Sequence, residues 1–161
     1  MRVIAGEFRS RTLKSVPGLS VRPTPDRLRE ALFNVLAPRI EGAVFLDAYA
    51  GSGAVGIEAL SRGAARIILV ERNQRAIVVI RENLKALGLA ARATVVRGSA
   101  AAFVSNFSAD LAFLDPPYEL PDEYSRTLTA LSGSPCRLAV AQHASRLALE
   151  DHYESLHKTR V

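Results

Sequence analysis

The residues best suited to chemistry are Asp115-Pro116-Pro117-Tyr118, which follow a short apolar run. Each proline fixes its own φ angle and lacks an N–H, and the residue before a proline is pushed toward extended geometry. The motif therefore predicts a rigid platform with an acid, accepting carbonyls and an aromatic ring. Such a platform suits a planar group with an exocyclic amine, because carboxylate and carbonyl accept its N–H groups while the ring stacks on its face. An ordinary strand end and turn is the alternative interpretation.

A second candidate site follows another short apolar run. Asp47 precedes Gly51, Gly53 and Gly56, which match the G-x-G-x-x-G spacing, and Glu71 lies 20 residues after Gly51. In dinucleotide-binding folds an acid at that distance binds a ribose diol. An NAD-type site is therefore the first interpretation of this loop.

Asp47 favours a different ligand. A pyrophosphate would sit on the glycine loop and the helix N-terminus, where the adjacent carboxylate of Asp47 would repel it. The same carboxylate favours a ligand with cationic groups and no phosphate, such as S-adenosylmethionine (SAM). Glu71 would still hold the ribose hydroxyls, and the glycines would let the methionine part approach the backbone closely. These residues therefore favour SAM over NAD.

Alternating strands and helices must position these residues. Apolar runs predict strands at residues 44–46, 67–70, 94–96, 111–114 and 138–141. Helical spacing predicts helices at residues 53–62 and from the cap Asn73 to a stop at Gly88. Continuous apolar strands separated by helices indicate an α/β fold with a doubly wound parallel sheet. Ligands of such sheets bind beyond the carboxyl ends of the strands, where Asp47, Glu71 and Asp115 fall.

An earlier helix is expected to begin near Thr24, a typical N-cap residue. Pro25 would occupy its first helical position and Asp26 would place an acid in its first turn. Apolar side chains then recur at helical spacing, and Pro38 is expected to end the helix.

Composition bounds the class of protein. A chain of 161 residues with 48% hydrophobic residues is long enough for one domain with a real core. It has no apolar run long enough to span a membrane, and its N-terminus lacks the apolar region of a secretory signal. Cys136, beside an apolar run, is expected to be a buried and inert thiol, and the histidines show no metal-ligand spacing with it. These features predict a soluble, cytoplasmic protein without a metal.

The positive charge is concentrated near the N-terminus. Residues 1–39 hold eight basic and three acidic side chains, whereas the other 122 residues hold 13 of each. A localised basic block is a candidate nucleic-acid footprint, although a solvated arm is the plainer interpretation. We therefore expect a basic, RNA-binding extension with its helix at residues 1–39 and a second region at residues 40–161, in one compact unit.

Four stretches resemble the bacterial RsmD family of class I SAM-dependent methyltransferases. They are residues 22–34 (RPTPDRLREALFN), residues 50–64 (AGSGAVGIEALSRGA), the Asp-Pro-Pro-Tyr platform and residues 140–143 (VAQH). The glycine loop and the platform occur in many methyltransferases, whereas the first stretch and the Leu-Ser-Arg-Gly-Ala segment are more specific. The resemblance implies a Rossmann-like fold and methylation of the exocyclic N2 of a guanine in small-subunit (16S) ribosomal RNA.

The resemblance also implies three groups of site residues. The catalytic residues would be Asp115, Pro116 and Tyr118. SAM, and its product S-adenosylhomocysteine, would contact Asp47, Ala50, Gly51, Gly53, Glu71, Arg72 and Ser99. The RNA would contact Arg9, Arg11, Lys14, Arg22, Arg27, Arg29 and His143. The expected partner is ribosomal RNA, either naked or in an assembled particle, and the protein is expected to be a monomer.

The sequence departs from the family in two places. Many members have an acid after the glycine that closes the third strand, to contact the adenine amine, whereas here Gly98 is followed by Ser99. Such folds also normally finish with an antiparallel hairpin of two strands. The sequence ends about where that hairpin should begin, so a missing or truncated terminal hairpin is expected.

Three other functions stay open. A DNA or RNA adenine-N6 methyltransferase would use the same platform, because that platform serves any planar exocyclic amine. An NAD-dependent oxidoreductase would use the glycine fingerprint, although Asp47 counts against it. A non-catalytic RNA-binding protein would have kept the fold alone.

Overall fold

Five short apolar strands form one parallel sheet in the computed structural model, which describes residues 1–18, 25–117 and 119–159. The strands are β1 (Val44–Asp47), β2 (Arg66–Glu71), β3 (Ala93–Arg97), β4 (Leu111–Leu114) and β5 (Leu138–Ala141). Their order across the sheet is β3-β2-β1-β4-β5, and every neighbouring pair is parallel. The chain therefore reverses its direction of winding between β1 and β4, which places the ends of these two strands side by side.

Helices cover both faces of the sheet. They are α1 (Asp26–Ile40), α2 (Ala54–Ser61), α3 (Gln74–Ala86), α4 (Ala100–Phe103) and α5 (Asp122–Ser132). Helices α1, α2 and α3 pack on one face, in an apolar cluster that includes Phe33, Phe45 and Ile57. Helices α4 and α5 pack on the other, in a cluster that includes Leu46 and Leu128. This arrangement confirms the predicted doubly wound α/β fold.

The predicted elements agree with the structure apart from the two ends of the first helix. Pro25, predicted as the first helical residue, is instead the N-cap, and α1 begins at Asp26. The side chain of Asn73 caps α3, because its Oδ1 accepts hydrogen bonds from the N–H groups of Arg75 and Ala76 at 2.8 and 3.3 Å. The prediction that Pro38 ends the first helix is wrong: Pro38 lies inside α1, which continues to Ile40. Burial of Ile40 in the core holds the last turn in place despite the missing N–H. Thr24, the predicted cap, lies outside the described residues.

Beyond β5 the chain forms β6 (His152–Tyr153) and β7 (Leu156–His157), two very short strands that pair antiparallel in a sheet of their own. Tyr153 and Leu156 pack against the α4/α5 cluster. In the described part of the chain, the hairpin with which such folds normally finish is limited to this short pair. None of the helices within the described ranges has the length and apolar composition needed to cross a membrane.

The N-terminal segment packs on the helical layer. Arg2 and Thr12 form an antiparallel bridge, and Val3 and Leu13 are buried in the same cluster as Phe33. The turn between the two halves of this segment lies against the end of α2. Residues 1–14, called the N-terminal arm below, are therefore anchored to the core by two buried side chains, while more than half of the segment is exposed.

Gly6 allows the closest approach between the arm and α2. Its φ angle is +83°, and a Cβ atom at this position would lie 1.8 Å from the carbonyl oxygen of Ser61. Gly42 has a similar φ of +72° but has no atom within 4 Å of the corresponding position. Both glycines therefore have a backbone conformation that disfavours a side chain, but only Gly42 has room for a Cβ atom.

We expect Gly6→Ala to lower the free energy of unfolding by about 3 kcal/mol and Gly42→Ala by about 1 kcal/mol. Both substitutions force an alanine into the left-handed backbone region, but only the Cβ atom at residue 6 displaces the arm. Urea denaturation of the two variants measures the difference. Equal losses would mean that the arm does not hold this contact in solution.

Candidate cofactor and substrate site

The connection from β1 to α2 is a tight glycine loop. The N–H of Gly53 donates to the carbonyl of Ala50 at 2.7 Å, and the N–H of Ala50 donates to Val70 of β2 at 3.0 Å. Gly51 and Gly53 have φ angles of +55° and +79°, which favour glycine. Gly53 also precedes the first residue of α2, so the loop feeds directly into the helix N-terminus.

Glu71, at the end of β2, holds the loop in place. Its Oε2 accepts a hydrogen bond from the N–H of Gly51 at 2.8 Å, and its Oε1 accepts one from the N–H of Asn73 at 2.8 Å. Each carboxylate oxygen can accept more than one hydrogen bond. Glu71 therefore both fixes the glycine loop and keeps acceptor capacity for a hydroxyl pair.

Asp47, at the end of β1, is a buried acid with a spare acceptor. Its side-chain Oδ1 accepts a 3.4 Å hydrogen bond from the N–H of Tyr49, whereas Oδ2 is buried with no hydrogen-bond partner in the described part of the chain. Burial raises the pKa of Asp47 to about 7, and the negative charges of Asp115 and Glu71 add to that rise while the amides of Tyr49 and Gly56 oppose it. Three acids therefore act on one another at the ends of β1, β2 and β4.

These carboxylate acceptors suit a cationic ligand. A buried carboxylate oxygen without a partner gains most from a charged N–H donor, which satisfies it and favours its ionised form. A phosphate placed on the same loop would instead face the negative charges of Asp47 and Glu71. The site therefore fits the ammonium group of SAM better than a dinucleotide pyrophosphate.

The raised pKa of Asp47 predicts a pH-dependent stability. Between about pH 4 and pH 7 the folded state binds more protons at this carboxyl than the unfolded state, so stability falls as the pH rises. Above pH 7 both states are ionised, and the folded state keeps the cost of burying the charge. We therefore expect Asp47→Asn to raise the melting temperature more at pH 8 than at pH 5, in thermal denaturation of the ligand-free protein. An equal shift at both pH values would contradict it.

The platform begins where β4 ends, beside Asp47. The N–H of Ala48 donates to the carbonyl of Phe113 at 3.0 Å, which holds the ends of β1 and β4 together. Asp115 is half-buried and Pro116 is buried. The structure thus brings Asp115 next to the candidate cofactor loop, as expected from the strand order. Tyr118, the predicted stacking ring, lies outside the described residues.

Tyr49 links the glycine loop to the helix after the platform. Its hydroxyl donates to Oε2 of Glu123 at 3.0 Å and lies 2.7 Å from Oγ1 of Thr127, both on α5. Burial raises the pKa of this phenol, so it stays protonated at neutral pH. The sequence analysis missed this contact, because the partners are 74 and 78 residues away.

The end of β5 forms another side of the candidate substrate site. His143 is half-buried, with its Nδ1 3.0 Å from the carbonyl oxygen of Ala144 and its ring edge-on to Tyr124. The hydroxyl of Tyr124 donates to the carbonyl of Gln142 at 2.6 Å, which joins α5 to β5. A cavity of about 310 Å³ opens beside these residues, with Arg146 in its lining.

Ser99 and Arg72 also lie at the carboxyl edge of the sheet. Ser99 is exposed after β3, at the start of α4, and Arg72 is exposed directly after β2. A Cβ atom on the preceding Gly98 would lie 2.1 Å from the Phe103 ring, so the glycine is required by packing. Ser99, which stands where many family members have an acid, therefore offers a neutral hydroxyl at an exposed position.

The basic residues divide into exposed and buried groups. Arg9, Arg11, Lys14 and Arg27 are exposed, so their charges are accessible at the surface. The ammonium of Lys14 also pairs with Glu82 at 2.9 Å. Arg22 lies outside the described residues.

The predicted role of Arg29 as an RNA contact differs from its position in the structure. Its side chain is fully buried and donates to the Arg2 carbonyl at 2.8 Å and to Oδ1 of Asp26 at 2.7 Å. Its Nη1 lies 3.9 Å from Oε2 of Glu58, which is also fully buried. The assignment of Arg29 to RNA is therefore wrong, because its guanidinium is enclosed by the arm and α2.

Glu58 is the centre of this buried network and was missed by the sequence analysis. Its carboxylate accepts hydrogen bonds from the N–H groups of Ile4 and Ala5 at 2.7 and 3.0 Å, and from Nε of Arg62 at 2.8 Å. A glutamate in an otherwise apolar stretch of helix was the available signal. Glu58 therefore fastens the N-terminal arm to the helix that follows the glycine loop.

Neither a metal-binding cluster nor a reactive thiol is found among the described residues. No group of His, Cys, Asp and Glu residues there is arranged to hold a metal ion. Cys136 is half-buried rather than fully buried, and burial raises the pKa of its thiol. A thiol with a raised pKa is a poor nucleophile at neutral pH.

Known proteins are similar to this chain in sequence and in fold. A family model described as conserved hypothetical protein 95 matches residues 1–161. The Bacillus subtilis protein named "Putative rRNA methyltransferase YlbH" is 45% identical over 124 residues, which are 74% of this chain and 67% of that protein. "Ribosomal RNA small subunit methyltransferase D" of Escherichia coli K12 is 42% identical over 120 residues, which are 73% of this chain and 60% of that protein. The match thus spans about two thirds or less of these relatives.

A solved structure agrees over most of both chains. It is the "Putative methyltransferase yhhF from Escherichia coli", with a TM-score of 0.79 and 38% identity, covering 93% of this chain and 85% of that one. The sheet order, the glycine loop after β1 and the acids at the ends of β1, β2 and β4 define a class I methyltransferase fold. With the match to the family model and to the two curated relatives, the chain belongs to the RsmD family.

Proposed function

We propose that the protein transfers a methyl group from SAM to the exocyclic N2 amine of a guanine in small-subunit ribosomal RNA. The observation that carries the proposal is the adjacency of Asp47 and Asp115 at the ends of neighbouring strands. One acid suits a cationic methyl donor, and the other suits an amine acceptor. The names of the curated relatives support ribosomal RNA as the substrate.

The residues of the glycine loop fit the methyl donor. In the proposal, Asp47 accepts the ammonium group, the backbone around Gly51 and Gly53 borders the methionine part, and Glu71 receives the ribose hydroxyls. Arg72 and Ser99 would border the adenosine, where Ser99 offers a neutral hydroxyl. SAM supplies an electrophilic methyl group on its sulfonium. No residue of the chain then has to form a covalent bond with the substrate.

The platform residues would act on the nucleophile. A guanine amine is a weak nucleophile, because its lone pair is delocalised into the ring. Asp115 and the carbonyl of Pro116 would accept its two N–H groups and favour a pyramidal nitrogen. Asp115 would stabilise the positive charge that develops on the nitrogen as it takes the methyl group from the sulfonium, and would accept the proton that the methylated amine must then lose. Holding both reactants in line supplies much of the remaining rate.

The exposed basic residues would hold the RNA backbone. Arg9, Arg11, Lys14 and Arg27 supply positive charge near the N-terminus, so RNA affinity should fall steeply with salt. A guanine in a helix must also leave its stack to reach the platform, at a cost of a few kcal/mol. A ribosomal substrate would place the activity in the cytoplasm.

Adenine-N6 methylation is the second candidate, because an adenine amine would fit the same platform. An NAD-dependent oxidoreductase is disfavoured by the acids around the glycine loop, and a non-catalytic RNA-binding protein would have no use for them. The nucleoside that is methylated therefore decides between the leading candidates.

The test is incubation with methyl-labelled SAM and ribosomal particles from a strain that lacks its own enzyme, followed by nucleoside analysis. We expect label in N2-methylguanosine from small-subunit RNA. Label in N6-methyladenosine would change the substrate, and the absence of both label and SAM binding would overturn the methyltransferase assignment.

A further inference from the structure

One buried amide joins the N-terminal arm to the glycine loop. Asn83, on α3, is only 2% exposed. Its Oδ1 accepts a hydrogen bond from the N–H of Lys14 at 2.8 Å, and its Nδ2 donates to the carbonyl of Lys14 at 3.1 Å. The same Nδ2 donates its second proton to the carbonyl of Ser52 at 3.1 Å. All three bonds depend on a single side-chain orientation.

The two elements joined by Asn83 belong to different candidate sites. Lys14 lies in the arm, whose exposed cations are the proposed RNA contacts. Ser52 lies between Gly51 and Gly53, in the loop proposed to border SAM. The arm has further anchors on the helix after this loop, because Glu58 binds Ile4 and Ala5. The docked position of the arm and the conformation of the loop therefore both depend on contacts with α2 and α3.

We propose that Asn83 is a positioning residue that couples the RNA-contacting arm to the SAM loop. When the arm is docked, the carbonyl and N–H of Lys14 fix the amide of Asn83, which then holds the Ser52 carbonyl. When the arm leaves, the amide loses two of its three bonds and is no longer held toward the loop. The loop then has more conformations to lose when it binds its ligand, so affinity falls.

Coupling of this kind acts equally in both directions. If the docked arm increases affinity at the loop by some factor, ligand at the loop increases docking of the arm by the same factor. A filled loop would thus order the arm for RNA, and RNA held by the docked arm would tighten the loop. The inference rests on the proposed function, because it requires SAM or its product at the glycine loop.

The first experiment uses the unmodified protein. Trypsin cleaves after exposed basic residues, and Arg9, Arg11 and Lys14 place such sites in the arm. We expect saturating S-adenosylhomocysteine to slow cleavage at these sites about fivefold, the low end of common coupling factors. No change in arm cleavage under conditions where calorimetry shows binding would overturn the inference and leave the proposed function standing. Absence of binding would instead count against the proposed function, and with it the inference.

The second experiment separates coupling from direct contact. Asn83→Asp keeps an acceptor for the N–H of Lys14 but loses both donors, so the Ser52 carbonyl loses its bond. We expect S-adenosylhomocysteine to bind about tenfold more weakly and to give no protection of the arm. Glu82→Gln is the matched control: it neutralises the neighbouring residue and breaks only the exposed ion pair with Lys14. It should behave like the unmodified protein.

Retained protection of the arm in Asn83→Asp would overturn the coupling, because the protection would then come from direct contact with the ligand. Far-UV circular dichroism checks that the variant is folded. If it is not, the milder Asn83→Ser variant is used with the same two measurements. A general loss of stability would lower the melting temperature without abolishing the ligand-dependent protection.

Discussion

Replacing Asp115 with asparagine is expected to reduce methyl transfer about a thousandfold while leaving SAM affinity within about twofold. Asparagine has nearly the shape of aspartate, but it is neutral and can present an N–H to the amine. It therefore removes the charge that would stabilise the positive nitrogen, and such charge effects are worth about a hundred- to a thousandfold in rate. Removal of the Asp115 charge lowers the pKa of Asp47 and favours its ionised form, which offsets the attraction for a cation that is lost with Asp115.

Single-turnover transfer from labelled SAM to ribosomal particles measures this effect apart from binding. Glu119→Gln is the matched control, since Glu119 is an exposed acid just beyond the platform. The control should transfer at the normal rate. If Asp115→Asn kept more than a tenth of the activity, Asp115 would not be the acceptor for the amine.

Replacing Glu58 with glutamine is expected to lower the free energy of unfolding by about 3–5 kcal/mol. Loss of one member from a buried network of ion pairs costs about this much, because its partners stay buried with less compensation. Here the fully buried Arg29 keeps its ion pair with Asp26 but loses its second carboxylate. Arg62 loses its hydrogen-bonded partner, and the N–H groups of Ile4 and Ala5 lose a charged acceptor. The Glu58→Gln variant should therefore loosen the N-terminal arm as well as the core.

Urea denaturation of the ligand-free protein measures this loss. Asp151→Asn is the control, because it breaks an exposed pair with Lys158 and should change stability by less than about 1 kcal/mol. The double variant Arg29→Met with Glu58→Gln should recover part of the loss, since it also removes the buried cation that has lost one of its two carboxylates. A loss below 1 kcal/mol in Glu58→Gln would refute the central role of this carboxylate.

The sequence predicted the features that depend on local pattern. Apolar runs located β4 and β5 at the observed residues, and the acids after β1, β2 and β4 fell at one edge because parallel strands end together. The side chain of Asn73 was identified as a cap from its position alone. For this reason the fold and the general place of the site could be predicted from the sequence.

The missed features depend on contacts between distant parts of the chain. In α1, Arg29 was assigned to RNA together with the other basic residues near the N-terminus, yet the arm and α2 enclose it. No local pattern shows that the carbonyl of Arg2 and the carboxylate of Glu58 converge on it. Ile40 extended α1 past Pro38 for a similar reason, because tertiary packing outweighed the local breaker.

The hydroxyl of Tyr49 has a consequence for the order of steps in a catalytic cycle. It ties the loop proposed for the methyl donor to α5, the helix that follows the base platform. In the proposed reaction, a movement of α5 that releases the methylated base would stretch these bonds and pull on the loop. We therefore expect RNA departure and exchange of the spent cofactor to follow one shared motion, with a common rate.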